Sequence, residues 1–128
     1  MANTLTENKI LDGRKLVMEY QITGDGSGEE SDTVLVDFSG LASGFSEFCI
    51  QKALWALSGF SATLDWDATT NVKALECPEG EGGFDFSQIG GPIINRSGTG
   101  KTGDLLITTV GLGSGDSGTL RIEGYKRG

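Results

Sequence analysis

Glycine occupies 21 of the chain's 128 positions, and the glycines fall between short apolar runs that alternate in period two. Glycine reaches positive φ without steric cost, so closely spaced glycines mark tight turns. Alternation in period two marks strands with one buried face. Together they predict an all-β fold, a two-sheet β-sandwich, jelly-roll-like, with about eight strands and glycine-rich loops. A chain of this length makes one domain and buries a sizeable core without disulfides or metal. We divide it into an N-terminal arm, residues 1–13, and a single β-sandwich domain, residues 14–128.

The strands are read from their alternation. Leu16, Met18, Tyr20 and Ile22 share one face of a strand over Lys15–Thr23. After a loop without apolar residues, a second strand over Thr33–Phe38 makes a long-looped hairpin with it. Residues 39–44 read as a turn. Ser46–Leu57 fits either a helical stripe or a strand buried on both faces, and strand is preferred because the segment runs into a clear one. There Phe60, Ala62, Leu64 and Trp66 alternate with Ser61, Thr63, Asp65 and Asp67. Val72–Cys77 is a short strand, 78–83 a flexible acidic loop, and Phe84–Phe86 a brief edge strand. Gly90–Gly91–Pro92 punctuates, Ile93–Ile94 is short, and Asn95–Gly103 is a loop. Leu105–Val110 is a strand, Gly111–Gly118 a turn, and Thr119–Tyr125 the last strand.

The composition argues against several functions. A net charge of -8 repels phosphate backbones, which speaks against nucleic-acid binding. No apolar run approaches the ~20 residues that span a bilayer, so no membrane partner is expected. The first residues lack the basic and apolar regions of a signal peptide, and a cytoplasmic origin is expected. There is no histidine, which removes the commonest general base and metal ligand. Cys49 and Cys77 are too few for a disulfide framework, and Cys49 reads as a core position. No cofactor, metal or catalytic residue is expected, and the chain is read as a non-enzyme.

Three clusters still draw attention. Arg96-Ser97-Gly98-Thr99-Gly100-Lys101-Thr102 resembles a phosphate-binding loop, but the first glycine position is Asn95 and a β-branched run follows where a helix is needed. Asp25, Glu29, Glu30 and Asp32 gather carboxylates that suit calcium. The EF-hand spacing is absent, and a solvated hairpin tip is the expectation. Asp65 and Asp67 form a carboxylate pair beside Trp66, as in glycosidases, but the solvent side of an amphipathic strand already explains them. Trp55 and Trp66 are read as core or interface anchors.

Several blocks together resemble a known family. They are Ile10-Leu11-Asp12-Gly13, the strand ending in Gly24-Asp25-Gly26-Ser27-Gly28-Glu29, the run Gly59 to Thr69, and Gly98 to Thr109. They are similar to small capsid decoration (cement) proteins of marine and freshwater tailed phages. The resemblance implies a virion structural protein outside the capsid shell, assembled in the host cytoplasm. It would bind the major capsid protein, often as a homotrimer, and stabilise the shell. On that basis the contact residues expected are Thr4, Leu5, Ile10 and Leu11 of the arm, and Gly82, Gly83, Arg96 and Lys101 of two loops. The alternatives are a neck or tail component, and a small carbohydrate-binding sandwich that uses an exposed tryptophan.

Overall fold

The computed structural model describes residues 3–38, 45, 47–85 and 92–127. Among them are nine strands and no α-helix. The strands are β1 (Thr4–Asp12), β2 (Lys15–Thr23), β3 (Thr33–Val36), β4 (Glu47–Ser58), β5 (Ser61–Trp66), β6 (Val72–Cys77), β7 (Gly80–Asp85), β8 (Leu105–Val110) and β9 (Ser117–Arg127). They form a five-stranded sheet in the order β1-β2-β9-β4-β7 and a four-stranded sheet in the order β3-β8-β5-β6. Every pairing is antiparallel. The expected all-β, two-sheet architecture is the one observed. The turn expected over 39–44, Ser46, Phe86 and the Gly90–Gly91 pair lie outside the described residues.

The inward faces of both sheets meet in one core. Leu16, Met18, Tyr20 and Ile22 of β2, and Leu120 and Ile122 of β9, face Ala62, Leu64 and Trp66 of β5, and Leu105 and Ile107 of β8. Full burial of a side chain such as Leu64 is worth about 1.5–3 kcal/mol. Phe48 of β4 joins the two layers. Its ring meets Trp66 edge-on at 5.2 Å and stacks on Phe38 at 6.0 Å. Cys49 and Cys77 are buried free thiols, and burial pushes the Cys77 thiol up to about 12, which keeps it unreactive.

The segment that fitted both helix and strand is β4, and a bulge explains the ambiguity. The register with β9 shifts between Ile50 and Lys52. Phe48 and Ile50 therefore face the core before the shift, and Ala53, Trp55 and Leu57 face it afterwards. The extra residue breaks the period of two and mimics a helical stripe. Opposite the bulge stands Gly124. A Cβ there would lie 1.8 Å from the Cys49 carbonyl oxygen.

Three expectations about connectivity are corrected. β2 and β3 do not form a hairpin, because β3 pairs with β8 in the other sheet and residues 24–32 cross between sheets. Residues 4–12, read as an arm, form β1 and pair along β2 from Thr4↔Thr23 to Asp12↔Leu16. Gly80–Gly83, read as loop, belong to β7, which pairs with β4 from Leu57↔Gly80 to Lys52↔Asp85. Ile93 adds one bridge to Ile50, exchanging bonds of 2.8 and 3.0 Å.

Gly124→Ala should cost about 3 kcal/mol or more, because backbone has to move to admit the methyl group. Gly13→Ala meets nothing within 4 Å and should stay within about 0.5 kcal/mol of the parent. Urea unfolding of the two variants measures both.

Candidate functional site

Four of the expected contact residues, Thr4, Leu5, Ile10 and Leu11, lie on β1, an edge strand of the five-stranded sheet. β2 pairs with one side of β1, and no strand among the described residues pairs with the other. Leu5 packs against the core, whereas Ile10 and Leu11 are 47% and 46% exposed. The register with β2 shifts between Lys9 and Leu11. Ile10 is thus a bulge residue, and Leu11 stands opposite Val17.

Both ends of this strand are clamped. At its end, Asp12 forms an ion pair with Lys126, whose side chain is fully buried. Lys126 sits on β9 in the inward series of Leu120, Ile122 and Gly124, and its backbone amide donates to the Arg14 carbonyl at 2.7 Å. At its start, Asn3 Nδ2 donates to the Gly28 carbonyl at 2.8 Å and to Glu30 Oε2 at 2.9 Å. Asp25 N donates to Asn3 Oδ1 at 3.1 Å.

Between the clamps, β1 overhangs β3 and leaves a groove of about 230 Å³ lined by Leu5, Glu7, Tyr20, Val34, Leu35 and Asp37. The Tyr20 hydroxyl donates to Glu7 Oε1 at 3.4 Å. Burial, then the charge of Glu7, holds the Tyr20 phenol far above its usual range. Val34 is 49% exposed on this side.

The other expected contacts lie elsewhere. Gly82 and Gly83 are strand residues of β7. A Cβ on Gly82 would lie 2.6 Å from the Trp55 ring, so this glycine makes room for the indole. Arg96 is exposed on the Asn95–Gly103 loop. Lys101, on the same loop, forms an ion pair with Glu47. The loop is fastened to the turn after β5: Thr69 N donates to the Thr99 carbonyl at 3.0 Å, and Thr102 Oγ1 donates to Asp67 Oδ2 at 2.9 Å. The lysine of the phosphate-loop look-alike therefore neutralises a carboxylate of its own chain.

The acidic loop is exposed, as expected, but it is not a hairpin tip, and Glu29 bonds to the chain's own backbone. Glu29 Oε1 accepts from Thr109 Oγ1 at 2.8 Å and Leu112 N at 3.0 Å, and its Oε2 accepts from Gly111 N at 2.8 Å. Among the described residues, no group of three His, Cys, Asp or Glu is placed to hold a metal ion. Asp65 and Asp67 do not act as a pair: Asp67 lies past β5 and accepts from Thr102. Burial, then the charge of Asp32, raises the Asp65 carboxyl. Trp55 and Trp66 are 7% and 1% exposed, and Trp55 Nε1 donates to the Pro78 carbonyl at 3.2 Å. Neither offers the exposed platform that sugar stacking requires.

The residues missed from sequence are Glu7, Lys9, Tyr20 and Val34, which border the free edge. The Asp12-Gly13 pair was the signal for them, since Asp-Gly between extended runs marks a hairpin.

Removing Asp12 leaves Lys126 buried without this carboxylate, so Asp12→Ala should cost about 3 kcal/mol by urea unfolding. Lys126→Met should cost less, because Asp12 reaches solvent. The hydrogen bonds from Leu112, Thr109 and Gly111 hold the Glu29 carboxyl below its ordinary value of 4.5. A carboxyl with a depressed folded pKa stabilises the fold above its unfolded value, and the effect is lost as pH falls through the folded one. Between about pH 5 and pH 2, the melting temperature of Glu29→Gln should therefore fall less than that of the parent. An identical acid limb in the two would show that Glu29 does not carry this dependence.

No protein-family model, curated protein or solved structure matches the chain.

Proposed function

We propose that the chain is a non-catalytic structural part of a phage virion, a head decoration protein that binds the outer capsid surface. We read the strand order β2-β9-β4-β7 against β3-β8-β5-β6 as a jelly roll, with β1 added at one edge. Jelly rolls recur in capsid and lectin domains, and the buried tryptophans speak against the lectin use. The family resemblance supplies the choice of virion and head over neck or tail.

The observation that carries the reading is the outer edge of β1, which no strand among the described residues pairs with. A long strand edge is a template for another chain, and soluble proteins usually blunt such edges. This one spans nine residues, is clamped at both ends, and carries Ile10 and Leu11 half exposed. It is a surface organised for assembly. The polar groups of the loops, by contrast, are largely spent on the chain's own backbone and ion pairs, as with Glu29, Asp67 and Lys101.

Cosedimentation with purified heads lacking the protein tests the proposal. Saturable binding is expected, and Ile10→Asp with Leu11→Asp should weaken it about tenfold while the melting temperature holds. A chain that stays in the supernatant overturns the reading. Binding to isolated tails alone moves it to the tail alternative.

A further inference from the structure

We infer that the edge of β1 takes a second copy of this chain, paired antiparallel about a two-fold axis through Asn8. A two-fold normal to an antiparallel sheet requires one residue to stand opposite itself. With Asn8 there, Glu7 stands opposite Lys9 of the second copy, and Lys9 opposite its Glu7. Thr6 stands opposite Ile10, again twice. Residues directly opposite share a face of the sheet, and opposite charges at such positions attract. The strand is therefore complementary to itself in charge. The two exposed apolar residues, Ile10 and Leu11, flank the charged centre.

The other strand edges lack this property. β7 carries Glu81 and Asp85 with no basic residue, so two β7 edges repel. β3 is four residues long. β6 has Lys73 and Glu76, but its register skips Ala74 between them, a bulge in the middle of the strand that breaks a ladder there. Those two already pair within the chain at 3.6 Å. The bulge at Ile10 confines the new ladder to Thr6–Ile10. The pairing uses up both edges, so the product is a closed dimer whose two five-stranded sheets join into one.

The inference does not rest on the capsid reading but takes the same edge of β1, so pairing with a second copy and pairing of that edge with the capsid exclude each other. It departs from the trimer that the family resemblance implies. Sedimentation equilibrium of the full chain at low salt tests it. The parent should be a dimer. Lys9→Glu sets two pairs of like charges across the axis and should raise the dissociation constant about tenfold or more. Glu7→Lys should do the same. The double variant Glu7→Lys with Lys9→Glu restores both pairs and should recover the dimer. Circular dichroism melting of each variant separates lost pairing from lost folding, and Lys9→Glu leaves the Tyr20–Glu7 bond untouched. A monomeric or trimeric parent, folded single variants that dimerise as well as the parent, or a folded double variant that stays monomeric would each overturn the inference. A monomer that still sediments with heads overturns this inference alone, and a dimer that does not overturns the capsid reading alone.

Discussion

β4 and β9 can lie side by side only because position 124 carries no side chain. Gly124 stands opposite Ile50 in the ladder, at the bulge where the β4 backbone swings toward β9. Its φ is not in the left-handed region, so space and not conformation excludes other residues. Much else follows from that contact. The bulge turns Phe48 and Ile50 to the core on one side, and Ala53, Trp55 and Leu57 on the other. Phe48 then reaches Trp66 in the opposite sheet. β9 also pairs with β2 along its length, and its last inward position is Lys126, which holds Asp12 at the end of β1. Displacing β9 from β4 would therefore disturb the joint between the sheets and one clamp on the edge strand together.

The net charge of -8 is not simply a solvated acidic coat. Several carboxylates act as internal acceptors that close loops. Glu29 gathers the Thr109 hydroxyl of β8 and two amides of the turn after it. Asp116 accepts from Gly113 N at 2.9 Å in that turn, and Asp104 accepts from Phe38 N at 2.8 Å. An ionised acceptor makes a stronger bond than a neutral one, and glycine-rich loops have many bare amides to offer. The glycines and the acids are thus parts of one device, in which flexible turns are fixed by charge-assisted bonds to the backbone.

Periodicity reports burial before it reports strands, and this decides what could be read from sequence. β2 and β5 each bury one face, and their alternation places them directly. β1 is largely polar on both faces, with Thr4, Thr6 and Asn8 against Glu7 and Lys9, so it reads as an arm although it pairs along its whole length. β7 was hidden differently. Gly82 is there because the Trp55 ring occupies its side-chain space, and a glycine placed for close approach looks like a glycine placed for a turn. The partners of β3 and of Glu29 lie some 70 to 80 residues away in sequence, beyond any local pattern. The exposure of Ile10 and Leu11 was legible, because apolar residues in a polar stretch stand out. The ion pair of Lys101 was not legible, because its partner, Glu47, is 54 positions away.

Among the described residues the sandwich has edges at β1, β7, β3 and β6, and they are not treated alike. Acidic residues on β7 give copies of this chain a reason to stay apart there. β3 is short and its register breaks between Val34 and Val36. β6 carries its own ion pair. Each is a recognised way of blunting an edge. β1 has a bulge as well, but at one end, beyond a run in which acidic and basic residues stand symmetrically about Asn8. A bulge in the middle of the strand would have split the ladder; at Ile10 it limits the length of the ladder instead. Two-fold pairing through such an edge consumes it and leaves nothing to propagate, whereas head-to-tail use of two different edges would grow a filament. One self-complementary edge among blunted ones confines association to a closed pair.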